Sequence, residues 1–566
     1  MAEFDVVIRN GTLADGTGGA LRDGDVGLVG DRIAAIGPRL GRGREEIDAK
    51  GCIVTPGFVD VHTHYDGQAT WDSRLEPSTR HGVTTAVTGN CGVGFAPCRP
   101  QDRDALIRLM EGVEDIPGAA LHEGLQWDWE SFPDYLDALA RRPRDCDVAA
   151  MAPHGALRVF AMGARGIARE PATDDDIALM RALLREALDA GAIGLGTSRT
   201  IAHRTADGDF TPMYGALRSE LAGVTQALNG RGVFQMVSDF VQEEDEFGIL
   251  EDAARNGASA ASFSLLQADP APDKWRSLLD RTERAAAQGL PVRAQVIARP
   301  VGVLMGLEAS MHPFSNTAAW REIAARPLSE KVARMRDPAF RARLLNDEKS
   351  GRHQLLVYFR DAWSKFFPLG DPPVYAPGPE RSIAAMARAQ GRAPEEVAYE
   401  LLLENDGRAF IYLPLFNYTR GDLSVVEEML AHPLTVPGLG DGGAHVGAIC
   451  DGSATTYLLM HWVRDRGDIP LQSAVEMLTR RSAALVGLHD RGVLAPGRKA
   501  DLNVIDLDAL AIAAPRIAYD LPAGGKRLTQ GARGYRATVL SGVIAARDDA
   551  PTGALPGRLV RGRQAA

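Results

Sequence analysis

Scarce cysteine, the absence of any long apolar run and the lack of basic excess set the first limits on this chain. Its 566 residues contain five cysteines, Cys52, Cys91, Cys98, Cys146 and Cys450. They are odd in number and scattered, which excludes a disulfide framework, and all but Cys91 read as small apolar residues. No uninterrupted apolar stretch reaches the roughly 20 residues that span a bilayer, so a membrane protein is not expected. The opening Met1-Ala2-Glu3-Phe4-Asp5 lacks the basic and apolar regions of a secretory signal, and a cytoplasmic location is expected. A formal net charge of -11 argues against a nucleic-acid surface. Lysine is missing altogether between Lys50 and Lys274. The Gly-rich stretches at 15–19 and 524–525 lack the strand–loop–helix setting of phosphate-binding loops and read as turns.

What is present describes a large soluble enzyme-sized chain, with 45% hydrophobic and 24% charged residues. The length exceeds one ordinary domain and suits a large barrel with a satellite. Strand patterns at 4–9, 25–29 and 32–36 need a partner sheet, and 500–506 with 537–544 offer one from the other chain end. Residues 1–55 and 487–566 are therefore expected to form a small composite β-sandwich domain. Between them, strand patterns at 57–61, 83–87, 147–151, 192–195, 233–237, 260–265, 291–296 and 434–438 alternate with helical ones. About eight such units in 56–486 imply an α/β fold with a TIM-like (β/α)8 barrel. Residues 305–376 break the rhythm and are expected to form an insertion over the barrel mouth.

The most informative stretch is Gly57-Phe58-Val59-Asp60-Val61-His62-Thr63-His64-Tyr65-Asp66. On a strand, side chains two apart share a face, so His62 and His64 point the same way. Two neutral imidazoles so placed can bind one divalent metal, beside which water becomes a nucleophile.

Four further segments give this motif a family context. Gly82-Val83-Thr84-Thr85-Ala86-Val87-Thr88-Gly89-Asn90-Cys91-Gly92-Val93, Pro153-His154-Gly155-Ala156-Leu157-Arg158, Gly438-Leu439-Gly440-Asp441-Gly442 and the tail from Arg491 to Leu502 resemble the N-acyl-D-amino-acid deacylases (D-aminoacylases) of the amidohydrolase superfamily. The resemblance spans nearly the whole chain. It implies hydrolysis of an amide in an N-acyl-D-amino acid or related small molecule by metal-activated water. Carried over, His62, His64 and Cys91 are metal ligands, and Asp441 is both ligand and general base. Thiolate and imidazole suit zinc, one ion being expected here, and another divalent metal is compatible.

The chain also departs from that family. The lysine gap excludes a carboxylated-lysine bridge between two metals; the resemblance implies Cys91 as the substitute, since a cysteine occupies the bridging role in that family. The family's two later histidines are replaced in register by 232–238 and 261–267, neither of which contains histidine. Among the other histidines, His445 suits substrate binding or orientation of Asp441. His154, His203 and Arg199 are candidate substrate-binding residues, His154 alternatively supporting the site, and Arg199 or Arg204 pairing with a substrate carboxylate. Packing or satisfied hydrogen bonds account equally well for these histidines; a structural role is expected of His81, and His312, in the insertion, either lines the pocket or caps and packs. The aromatic groups Trp127, Trp129, Phe132, Tyr135 and Trp363, Phe366, Phe367 either shape an acyl pocket or pack a long loop. The expected partner is a small molecule, with no nucleic acid or membrane, and self-association into a homo-oligomer is compatible. Hydrolysis of a cyclic amide or lactone, and a non-catalytic amidohydrolase-like binding protein, stand as alternatives.

Overall fold

Short apolar runs separated by amphipathic helices pair side by side, as their alternation demands. The computed structural model describes residues 2–348 and 362–565. Strands β1 (Phe58–Asp60), β2 (Val83–Thr88) and β3 (Asp147–Ala150) form a parallel sheet in chain order. Past Met151 the chain resumes as Ala152–Pro153 and pairs in parallel with β4 (Gly194–Arg199). Then β5 (Val233–Ser238), β6 (Ala260–Ser264), β7 (Val292–Val296) and β8 (Thr435–Pro437) follow, each parallel to its neighbour. A further parallel bridge joins Thr63, beyond β1, to Gly442, beyond β8. The fold is α/β, and every strand expected from 57–438 overlaps an observed one.

The helices carry the local signals expected of them. Asp174–Ala190, between β3 and β4, opens on a capping box of Thr173 with Asp176 and ends at Gly191, whose φ of +115° suits only glycine well. Two helices that the sequence reading omitted, Gly118–Gly124 and Phe132–Ala140, fill the long β2–β3 connection. The second has its own visible signal, a Ser131–Asp134 capping box with proline in the first turn. Its aromatic residues choose packing over pocket: Trp129, Phe132 and Tyr135 are buried in the main core cluster. Trp363 and Phe366 likewise pack into a second apolar cluster.

Period-two alternation divides the parallel strands between two environments. Phe234, Met236, Ala261 and Phe263 face the helices in the main cluster. Val59, Val61, Val87, Ala149, Met151, Ile193, Val233, Ala260 and Val436 gather in a separate one. The C-terminal tail enters that second cluster through Val560. Tail and strand exchange hydrogen bonds, Val560 N to Val148 O at 2.7 Å and Val148 N to Arg558 O at 3.0 Å. Val560→Asp is expected to cost at least ~3 kcal/mol in denaturant unfolding, because a carboxylate placed there has no partner.

The two chain ends also build one nine-stranded sheet. At its centre Ile53–Pro56 pairs antiparallel with Leu502–Ile505 and parallel with the end of Phe4–Leu13. A buried ion network ties this sheet to β3: Asp147 meets Arg491 at 2.8 Å and Lys499 at 3.0 Å, and Lys499 meets Asp501 at 2.6 Å. The expected insertion at 305–376 lies partly outside the described residues. Its apolar cluster runs on past residue 376 to Leu413, because Val301–Met305 and Phe367–Pro368 both pair with Ile411–Phe416. No helix among the described residues is long and apolar enough to cross a membrane.

Candidate metal centre

His62 and His64 follow β1 on a stretch held by backbone bonds on both sides. Thr63 N donates to Val87 O, His64 N to Gly442 O and Asp441 N to His62 O, at 2.8–3.0 Å. Both rings are buried, with centroids 5.4 Å apart. Burial pushes His62 down to about 4 and His64 well below the usual imidazole range, so both are neutral and able to donate a lone pair.

Cys91 reaches them from a tight turn after β2. Gly89, Cys91 and Gly92 all have positive φ, and Cys91 at +54° is the costly one, since a side chain disfavours that region. The turn presses against β4, where a Cβ on Gly196 would collide with the Gly89 carbonyl oxygen. Asn90 Nδ2 donates to Thr63 O and Val87 O, and Cys91 N donates to Gln235 Oε1 at 3.0 Å. Cys91 Sγ thereby lies 3.4 Å from His62 Nε2. The ligand atoms of His62, His64 and Cys91 lie within 4.8 Å of one another, the sole such trio among the described residues. Burial, then the acidic groups of Glu114 and Asp441, push the Cys91 thiol well up. A cation at this point would reverse that shift, so the donor set fits a thiophilic divalent metal.

Asp441 stands over the trio. Its Oδ1 is 3.5 Å from His62 Nε2 and 3.8 Å from His64 Nε2, and burial pushes its carboxyl up to about 7. The preceding Gly440 is explained by Asp60: a Cβ there would collide with the Asp60 carboxylate. Asp60 in turn accepts from His62 N at 3.1 Å.

The structure brings two of the four candidate substrate residues to this place. His203 is pushed down to about 3 by burial and by the nearby His445 and His62, and its Nδ1 lies 2.9 Å from Ser198 Oγ. His445 has a left-handed φ of +47° and sets Nε2 3.9 Å from Glu114 Oε2. His154 is engaged elsewhere in the fold. Its ring nitrogens are both taken, by Thr197 Oγ1 at 2.9 Å and Glu220 Oε1 at 3.0 Å, in a buried network with Arg158, which leaves no atom for a substrate. Arg199 is held by the Ala216 carbonyl and lies 3.9 Å from Asp245. His81 bonds Thr456, the structural role expected of it, and His312 accepts from Phe314 N and packs on Trp320.

Three residues at the centre escaped the sequence reading. Glu114, at the end of helix Arg103–Glu114, places Oε1 3.1 Å from His64 Nδ1, off the line of a straight hydrogen bond. Gln295 on β7 places Oε1 2.7 Å from His62 Nδ1. Gln235 on β5 is the acceptor of the Cys91 amide.

Comparison with known proteins gives the family. The model of the amidohydrolase family matches residues 45–546. The N-acyl-D-aspartate deacylase of Alcaligenes xylosoxydans xylosoxydans is 30% identical over 520 residues, 89% of this chain and 86% of that one. The D-aminoacylase of the same organism is 28% identical over 565 residues, 98% and 97% of the two chains. Among solved structures, D-aminoacylase superposes with a TM-score of 0.65 at 26% identity, covering 99% of this chain and 100% of the other. The N-acyl-D-glutamate deacylase of Bordetella bronchiseptica, complexed with zinc and a phosphonate inhibitor, gives 0.65 at 25% identity and 99% coverage of both. With its family model matched over most of its length, this chain belongs to the amidohydrolase family.

Proposed function

We propose that this protein is a metal-dependent hydrolase of a carbon–nitrogen amide bond whose substrate is an N-acyl-D-amino acid. In this reading His62, His64 and Cys91 hold one divalent metal, zinc by their chemistry, and Asp441 is the general base. The observation that carries it is the convergence of three buried ligand atoms with the Asp441 carboxylate 3.5 Å from His62 Nε2. The substrate class is supported by the names of the relatives, which are deacylases of N-acylated D-amino acids.

The architecture we infer around this site is a closed (β/α)8 barrel over 56–486, with 1–55 and 487–566 as a composite β-sandwich. Three observations support it. The eight parallel strands follow chain order, the Thr63–Gly442 bridge links last to first, and one cluster collects side chains on or flanking seven of the eight. The site then lies at the C-terminal ends of the strands, where barrel enzymes place their chemistry.

A bound metal here supplies Lewis acidity, lowering the pKa of water and polarising a carbonyl. The residues do the rest. Asp441 accepts a proton from the attacking water and delivers it to the leaving nitrogen, as the hydroxyl joins the acyl carbon and the C–N bond breaks. Burial raises the affinity of its carboxylate for that proton. His203 and His445 flank the same space and face the substrate.

The test is metal analysis of purified protein with a screen of N-acyl-D- and N-acyl-L-amino acids, cyclic imides and lactones. Near-stoichiometric zinc with free amine released from D-substrates is expected. Less than about 0.3 equivalents of transition metal, or no amine from any N-acyl amino acid, overturns the reading.

A further inference from the structure

Three buried polar side chains around the trio have no place in the proton transfer, and each sets an oxygen against one ligand residue, the two glutamines by hydrogen bonds and Glu114 by a close contact. We infer that Gln295, Gln235 and Glu114 are positioning residues that set the metal affinity of this site, each by holding one ligand. The inference rests on the metal reading of His62, His64 and Cys91.

Gln295 defines the state of His62. Its Nε2 donates to Ser262 Oγ at 3.0 Å, which fixes the amide and leaves Oε1 facing His62 Nδ1 at 2.7 Å. Nδ1 must therefore carry the ring proton, and the lone pair sits on Nε2, the atom facing Cys91 Sγ and Asp441. That is the tautomer a metal needs, and a ligand whose other nitrogen is bonded is also a stronger donor.

Gln235 acts on the thiolate through the backbone. Its Oε1 takes the Cys91 amide hydrogen and stabilises a non-glycine residue at φ +54°. Its Nε2 is buried without a hydrogen-bond partner among the described residues. An apolar side chain would fill this position without that loss, so the carboxamide is explained by what its oxygen holds.

Glu114 stands at the third ligand, its Oε1 3.1 Å from His64 Nδ1 in a close contact that is not a straight hydrogen bond. It comes from outside the strands, and Val446 N donates to Glu114 O, tying it to the loop that carries Asp441 and His445. Gln235, Ser262 and Gln295 come from adjacent strands, with Gln235 opposite Ser262 in the ladder. The ligands are thus braced by neutral amides below and one carboxyl at the side.

The experiment measures zinc affinity by chelator competition, and the absorption of the cobalt(II)-loaded protein, in matched pairs. Gln295→Met, Gln235→Met and Glu114→Leu remove the acceptor, whereas Gln295→Glu, Gln235→Glu and Glu114→Gln keep one in place. Loss of the acceptor is expected to weaken zinc binding ~10- to 100-fold and shift the cobalt bands, and the acceptor-keeping variants stay within about threefold of native or bind more tightly. A purely structural role moves unfolding but not the cobalt spectrum. The inference is overturned if the folded Met and Leu variants bind zinc within about threefold of native, or if both members of each pair lose affinity equally. A native protein that takes up no zinc overturns the metal reading, and the inference with it.

Discussion

Asp441→Asn is expected to lower kcat by ~10²- to 10⁴-fold with zinc content near native, the range that general acid–base catalysis contributes. The substitution keeps the shape of the side chain and an oxygen near His62 and His64, but removes the basic lone pair. The position is confined: Asp441 N donates to His62 O, its φ is +46°, and Gly440 beneath it rests against Asp60. An amide can occupy that place without forcing the backbone to move. KM changes little, because the lost interaction belongs to the transition state. Steady-state kinetics on the best substrate of the screen, with metal analysis of the same sample, decides it. A kcat within about threefold of native rules out Asp441 as the proton carrier.

The paired substitution His62→Ala/His64→Ala is expected to leave less than about 0.1 equivalents of zinc and no measurable hydrolysis. Two of three clustered ligands disappear, and Cys91 with Asp441 cannot complete a tetrahedral set. The backbone that carries them should persist, since Thr63 and His64 are bonded through main-chain atoms to Val87 and Gly442. His312→Ala makes the contrast. That histidine is equally buried but packs on Trp320, away from the trio, and its loss should leave zinc content unchanged. Equal metal in the paired variant and the native protein would place the ion elsewhere.

The parallel strands were legible because their mostly apolar runs are short and alternate with longer amphipathic stretches. His62 and His64 were legible for a related reason: spacing of two on a strand end is a local pattern with a direct geometric meaning. Cys91 and Asp441 needed the family resemblance, since each sits in a left-handed turn whose direction no periodicity encodes. Glu114, Gln235 and Gln295 were not legible at all. Each is an ordinary polar residue until tertiary folding sets it against a ligand more than 45 residues away in sequence. His154 stands apart from these, its ring nitrogens meeting Thr197 and Glu220 in a buried network that its motif does not reveal.

The pairing of Ile53–Pro56 with Leu502–Ile505 has a consequence for biosynthesis. At ~5–20 residues per second, the first of these strands leaves the ribosome roughly 20–90 s before the second exists. During that interval its hydrogen-bonding edge has no native partner on that side, and Val148 still lacks the tail that bonds it. Nascent chains halted before residue 502 should therefore be captured by chaperones and cut by proteases far more readily than the finished protein.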